Sequence, residues 1–288
     1  MVIAKEISQV KQNVREWKKQ GLSIGLVPTM GYLHEGHASL IKKAREENDR
    51  VIVSDFVNPI QFGPKEDLAT YPRDFEADCK LCESIGADLI FNPEPCEMYE
   101  DDFHSYVGVN TLSEGLCGKS RPIHFNGVCT VVTKLFNITE ADRAYFGQKD
   151  AQQLAIVRRM VRDLNYNIQI VGCPIVREED GLAKSSRNTY LTPEERKKAT
   201  ILHKALEEGE RMVNEGETDA NKIVETVRNI IESEPLAKVD YVEIVDWNEL
   251  QKVEKIDGPI LMAVAVYIGK VRLIDNFIVD NSIVIEMV

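Results

Sequence analysis

His34 and His37 stand three residues apart within Pro28-Thr29-Met30-Gly31-Tyr32-Leu33-His34-Glu35-Gly36-His37. The segment follows an apolar run, Ile24, Leu26 and Val27, that reads as a short buried strand. It precedes an amphipathic stretch over 38–48 that reads as a helix. A spacing of three puts both imidazoles on one side of a first helical turn, beside backbone N–H groups that lack an intrahelical partner. Such a corner attracts anions, because the helix dipole and those donors act together. Two imidazoles there can hydrogen-bond a nucleotide phosphate and stabilise charge as a phosphoryl bond breaks. A capped helix with two solvated histidines would look the same in a lone His-x-x-His. Gly31 and Gly36 favour the ligand reading, since both thin the backbone where a ligand approaches.

Further polar groups recur where strands end. Asn58 and Gln61, in Val57-Asn58-Pro59-Ile60-Gln61-Phe62, can bind hydroxyl, carboxylate or amine without a charge of their own, although alone they read as a turn. Arg121-Pro122-Ile123-His124-Phe125 adds a cation and an imidazole, and alone reads as a surface loop. Phe146-Gly147-Gln148-Lys149-Asp150 follows a strand and opens a helix. Gly147 permits close backbone approach, Lys149 can meet phosphate, Asp150 can accept from ribose hydroxyls, and Gln153 lies one turn on. Lys184-Ser185-Ser186-Arg187 flanks two hydroxyls with cations, the composition of a mobile phosphate clamp. Gly115-Leu116-Cys117-Gly118-Lys119-Ser120 imitates a P-loop, but Ser113 stands where that motif needs glycine, and Pro122 cuts short any helix. Cys79 and Cys82 form a C-x-x-C inside a helical pattern without a second pair at zinc-like spacing. Packing on a helix face is expected there, and no metal ligand set is assigned.

The elements that must position these groups alternate. Helices are expected over 5–20, 38–48, 74–85, 128–138 and 151–164, and strands ending near 27 and over 51–57, 88–91, 144–146 and 168–176. That alternation implies a parallel sheet with helices on both faces, wound right-handedly, with ligands beyond the carboxyl ends of its strands. The charged turn Arg177-Glu178-Glu179-Asp180-Gly181 reads as a domain boundary. Thr192, Pro193 and Glu195 then spell a helix start. Helices to about 216 and over 219–232, and strands over 239–245, 259–267 and 271–274, make a smaller α+β domain. The expected division is 1–176, a nucleotide-binding part, and 177–288, a smaller C-terminal lid.

Net charge is −12 over 288 residues, with 20 Lys and Arg against 24 Asp and Glu up to Val176, and 15 against 23 thereafter. Neither part offers the cationic face that nucleic acid needs, so no nucleic-acid partner is expected. The longest apolar runs fall short of a bilayer's thickness, and the first residues lack a signal's basic and apolar pattern. Six dispersed cysteines suit reduced thiols. A cytoplasmic protein without a membrane partner is expected.

His34-Glu35-Gly36-His37 with the later Ser185-Ser186-Arg187 loop resembles the nucleotidyltransferase superfamily that includes class I aminoacyl-tRNA synthetases. Together with Asn58-Pro59, Gln61-Phe62-Gly63, Arg121-Pro122, His124-Phe125, Gly147 to Asp150, and Gln152-Gln153, the set is similar to the pantoate–β-alanine ligase family. The resemblance covers nearly the whole chain. It implies a Rossmann-like, doubly wound α/β fold and a homodimer. It also implies ATP with Mg²⁺, and condensation of D-pantoate with β-alanine through a pantoyl adenylate, releasing AMP and pyrophosphate.

Carried over by position, Met30, Gly31, Tyr32, Leu33, His34, Glu35, Gly36 and His37 would line the ATP phosphates, with His37 as a proton donor. Gly147, Gln148, Lys149, Asp150 and Val176 would bind the nucleotide, and Lys184, Ser185, Ser186 and Arg187 its phosphates. Catalytic weight would rest on His34, His37, Lys149 and Arg187. Gln61 and Gln153 would hold pantoate, and Gln61 would also orient β-alanine. Pro28, Thr29, Asn58, Arg121 and His124 would support them. Lys184 departs from members with an uncharged residue before Ser-Ser-Arg. The residues alone leave open another adenylyltransferase acting on a different small acid or phosphate ester, or a nucleotide sensor without turnover.

Overall fold

The structure, a computed structural model, describes residues 1–64 and 66–280. In chain order these form β1 (Val2–Ala4), α1 (Ile7–Lys19), β2 (Ile24–Thr29), α2 (Glu35–Glu47), β3 (Arg50–Asp55), α3 (Phe75–Ile85) and β4 (Leu89–Phe91). Two short helices follow, α4 (Pro95–Met98) and α5 (Leu116–Ser120), then α6 (His124–Thr139), β5 (Arg143–Gly147), α7 (Ala151–Asp163) and β6 (Gln169–Cys173). The chain continues through α8 (Pro193–Lys198), α9 (Ile201–Asn214), α10 (Ala220–Glu232), β7 (Ala237–Asp246), β8 (Ile260–Ile268) and β9 (Val271–Val279). They divide into two compact units, one of residues 1–110, 121–148 and 156–174, the other of 111–120, 149–155 and the chain from 175 onward. Two short earlier segments therefore join the second unit. No helix among the described residues is long and apolar enough to cross a membrane.

The first unit is built on six parallel strands in the order β1-β4-β3-β2-β5-β6. Val27, Val51, Val53 and Ile90 from the strands pack with Leu40, Ile41 and Ala44 of α2 in a dry core. Burying each such aliphatic side chain contributes about 1.5–3 kcal/mol. Strand order reverses between β2 and β5, whose residues Gly25 and Leu26 pair with Arg143 and Ala144. This is the switch point at which a doubly wound sheet opens a crevice beyond its carboxyl ends. The expected alternation is present, with β1 an added edge strand whose three residues are too few to show a period. Several boundaries differ from those read in the sequence: β3 and β6 end at Asp55 and Cys173 rather than 57 and 176, β9 runs on to Val279 rather than 274, and two helix starts move at the site. Helix α2 starts at Glu35 rather than 38, because the histidines supply its cap. Helix α6 starts at His124 rather than 128, so His124 and Phe125 are buried and the surface-loop reading of 121–125 is corrected.

The second unit sets the antiparallel sheet β7-β8-β9 against its helices. Ile223, Val227 and Ile231 of α10 and Leu202, Ala205 and Leu206 of α9 bury one face against Ile260, Met262, Val264 and Val266 of β8. The helix expected from Thr192 to about 216 breaks at Ala199 and Thr200 into α8 and α9. Its start is as read: Thr192 accepts from Glu195 N–H, and the Glu195 side chain accepts from Thr192 N–H at 2.8 Å.

Candidate active site

Strand β2 delivers the histidine turn to the switch point. Thr29 Oγ1 donates to Ser54 O on β3 at 2.7 Å and accepts from Gly31 N–H at 3.2 Å, which fixes where the chain leaves the sheet. Gly31 and Tyr32 then take left-handed backbone, with φ of 78° and 52°. For tyrosine this conformation is sterically costly and must be held from outside. His34 is the N-cap of α2, and His37 lies in its first turn.

The two rings cap the helix reciprocally. His34 Nδ1 accepts from Gly36 N–H at 3.1 Å, and His37 Nδ1 accepts from His34 N–H at 3.3 Å. A ring nitrogen that accepts a backbone N–H carries no proton, so each neutral ring holds its proton at Nε2. The ring centroids are 4.2 Å apart. Two Nε2–H donors thus stand side by side at a helix N-terminus.

Asp78, in the first turn of α3, holds the turn. Its two carboxylate oxygens accept from Tyr32 N–H and Leu33 N–H, each at 2.7 Å. Asp55, the last residue of β3, is hydrogen-bonded to Asp78. Burial, with the Asp78 charge next, pushes the Asp55 carboxyl up to about 7. A Cβ on Gly31 would collide with Asp55 Oδ1.

The amides expected to meet substrate form a buried relay. Tyr99 Oη donates to Asn58 Oδ1 at 2.7 Å, Asn58 Nδ2 donates to Gln61 Oε1 at 3.0 Å, and Gln61 Nε2 donates to Met30 Sδ at 3.0 Å. Asn58 is 1% and Gln61 6% exposed, so their neighbours hold them rigid. His124 Nδ1 lies 3.1 Å from Gln61 O, and the Arg121 guanidinium pairs with Glu66. That arginine holds the Glu66 carboxyl below its ordinary range even though burial pulls the other way. Gly147 ends β5, the strand beside β2, and Gln148 opens the short helical turn that follows it.

The second unit carries the remaining expected residues. Lys149 Nζ lies 4.0 Å from Asp150 Oδ2, while Asn276 Nδ2 donates to Lys149 O at 2.9 Å. Gln152 is structural: it donates to Leu112 O and Gly115 O and accepts from Cys117 N–H. Gln153 beside it is half-buried. Val176 O accepts from Lys184 N–H at 2.9 Å, and Arg177 bridges Ala183, so the charged turn is a hairpin that joins two expected nucleotide contacts. Its base is locked by Arg177, which reaches Asp275 with both guanidinium nitrogens at 2.6 and 3.0 Å. Lys184 Nζ pairs with Glu178 at 2.7 Å. Ser185 Oγ accepts from Arg187 N–H and caps a short helical turn over Ser186–Tyr190.

The pantoate-beta-alanine ligase family matches residues 2–278. The chain belongs to this family. A pantothenate synthetase of Clostridium botulinum is 63% identical over 277 residues, covering 96% of this chain and 99% of its own. The Enterococcus faecalis pantothenate synthetase is 62% identical, covering 96% and 98%. Among solved structures, the Thermus thermophilus pantothenate synthetase superposes with a TM-score of 0.91 at 43% identity, covering 96% and 99%. The Francisella tularensis pantoate-beta-alanine ligase, complexed with beta-gamma ATP and beta-alanine, gives 0.79 at 38%, covering 96% and 97%.

The first unit thus holds both the paired ring donors at a helix start and the buried amides. Sequence reasoning missed Asp55, Asp78, Asp275 and Asn276. None sits in a glycine-rich or histidine-bearing motif, and each acts across a fold contact on backbone or on another side chain.

Proposed function

We propose that this site activates pantoate with ATP before the amine arrives. The enzyme is an ATP-dependent ligase that forms the amide bond of pantothenate from D-pantoate and β-alanine. A pantoate carboxylate oxygen attacks the α-phosphorus, the P–O bond to pyrophosphate breaks, and pantoyl adenylate forms. The β-alanine amine then attacks the acyl carbon, the C–O bond to AMP breaks, and the amine loses its proton. A carboxylate is a poor acyl donor until its oxygen becomes a phosphate leaving group, so alignment and charge neutralisation carry most of the catalysis.

The reciprocal cap of His34 and His37 carries this reading. Capping uses Nδ1 and leaves Nε2–H as the hydrogen-bonding proton of each neutral ring, directed by the helix itself. Donors fixed before the reaction stabilise the growing phosphate charge without reorganising, and losing one of this kind costs about 10²–10³ in rate. In the proposed assignment Met30 to His37 receive the phosphates, and Gly147, Gln148, Lys149, Asp150 and Val176 bind the nucleotide. Lys184, Ser185, Ser186 and Arg187 meet phosphate oxygens. Gln61, rigid within its amide relay, orients pantoate and then β-alanine, and Gln153 holds pantoate. Asn58 and His124 brace Gln61, Arg121 braces the loop at Glu66, and Pro28 and Thr29 set the exit from β2.

Mg²⁺ fits as a partner of the triphosphate. The described residues group no three His, Cys, Asp or Glu side chains into a metal cage, and Mg²⁺ binds readily through phosphate oxygens and water. When bound it supplies charge neutralisation to the triphosphate. Dimerisation and a cytoplasmic location belong to the same proposal, supported by the family resemblance.

Pantoate labelled with ¹⁸O in its carboxylate tests the scheme. One label should appear in AMP and one remain in pantothenate. Label that leaves in phosphate, pyrophosphate or water instead of AMP would rule out an acyl adenylate.

A further inference from the structure

The Asp55–Asp78 pair lies outside the proposed set of substrate contacts, yet it is built into the turn that bears both histidines. Asp55 is 5% and Asp78 2% exposed. Burial raises the Asp78 carboxyl, but its two oxygens accept from the N–H groups of Tyr32 and Leu33, an arrangement that suits its ionised form and opposes that rise. Two carboxyls in hydrogen-bonding contact inside a fold do not both ionise readily. Asp55 makes no such backbone contacts with its carboxyl, and its Oδ2 is buried without a partner among the described residues. The shared proton therefore belongs to Asp55, which donates it to Asp78. Asp74, Cys79 and Cys82, all at or on α3, are further titratable groups coupled to the pair among the described residues.

The turn needs this support. Gly31 and Tyr32 are both left-handed, and Gly31 passes so close to Asp55 that no side chain fits between them. Two hydrogen bonds from one carboxylate to successive N–H groups fix the peptide planes on either side of Tyr32. The next residue is His34, whose own N–H is the donor to His37 Nδ1. A shift of the 32–33 peptides thus reaches both rings through the capping pair.

We propose that Asp55 and Asp78 are positioning residues for the adenylation step. Asp55 keeps one proton and gives it to Asp78, whose carboxylate fixes residues 31–33 and so aims the Nε2–H groups of His34 and His37. The proposal rests on the reading of that turn as the phosphate site.

Amide substitution separates the two carboxyls. In Asp55→Asn the side-chain N–H replaces the O–H donor, whereas in Asp78→Asn an NH₂ is forced against a backbone N–H. Single-turnover pantoyl adenylate formation and the ¹⁵N signals of the two imidazoles are measured in the full chain at pH 6, where Asp55 holds its proton. Asp55→Asn should keep wild-type rates and Nε2–H imidazole signals. Asp78→Asn should lose about 100-fold in the rate at saturating ATP, the scale of a small misplacement, and show mixed imidazole tautomers. Asp55→Leu, with the same branched outline but without a donor, should shift the imidazole signals even if Asp78→Asn fails to fold. Unchanged signals and rate in Asp55→Leu, or equal damage from Asp55→Asn and Asp55→Leu, would overturn the proposal. If wild type forms no adenylate, the reading of function fails, while the imidazole signals still decide whether the pair positions the rings.

Discussion

Replacing Asp55 by Asn should flatten one component of the pH dependence of stability. In the unfolded chain this carboxyl has its ordinary value of 3.8, and in the fold burial raises it to about 7. Between those values the native state holds a proton that the unfolded state has lost. Stability therefore falls as pH rises through that window, and this component levels off above it. At 1.36 kcal/mol per unit, the loss between pH 5 and pH 8 comes to about 2–3 kcal/mol. The substituted amide cannot ionise, so the advantage of the variant over wild type should grow by that amount across the same range. Urea unfolding of both proteins at pH 5, 6, 7 and 8 measures it, because the difference curve cancels the groups they share. Parallel curves would refute the reasoning by showing that Asp55 titrates alike folded and unfolded. A difference that shrinks with pH would mean an ionised Asp55 in the fold.

Three further substitutions follow from the geometry. His37→Ala should slow adenylate formation about 10²–10³-fold in rapid quench, while losing about 1 kcal/mol of stability in urea unfolding through its half of the cap. Gln152→Ala should lower the melting temperature, because three buried backbone groups lose their partner, whereas Gln153→Ala should leave it unchanged and raise the pantoate concentration needed for half-maximal rate. Lys184→Ala should reduce the rate less than Arg187→Ala in steady-state assays, since Lys184 already pairs with Glu178.

Much of the site was legible because its residues punctuate the chain. The two histidines mark the passage from a strand to a helix start, so their spacing carries the local geometry. Thr192-Pro193-Glu195 was readable for the same reason, as every cap contact lies within one turn. Helix α6 was misjudged at its start because Gly127 reads as a loop residue. In the fold it is a close-packing residue: a Cβ there would lie 2.5 Å from Gln61 Cα. Asn58 Nδ2 also donates to Gly127 O, so that packing helps fix the amide relay. Asp55 and Asp78 are 23 positions apart, and nothing local announces that they meet. Asp275 and Asn276 were hidden likewise, in a strand whose alternation predicts faces but not the distant partners they find. Edge strand β1, with Val2 and Ile3 exposed, lacks the burial that gives a strand its pattern.

Exchange of labelled pyrophosphate into ATP by the purified protein most directly tests activation of the acid ahead of the amine. Exchange that requires pantoate and proceeds without β-alanine is the expected result. Exchange that ignores pantoate, or that begins only once β-alanine is added, would contradict it.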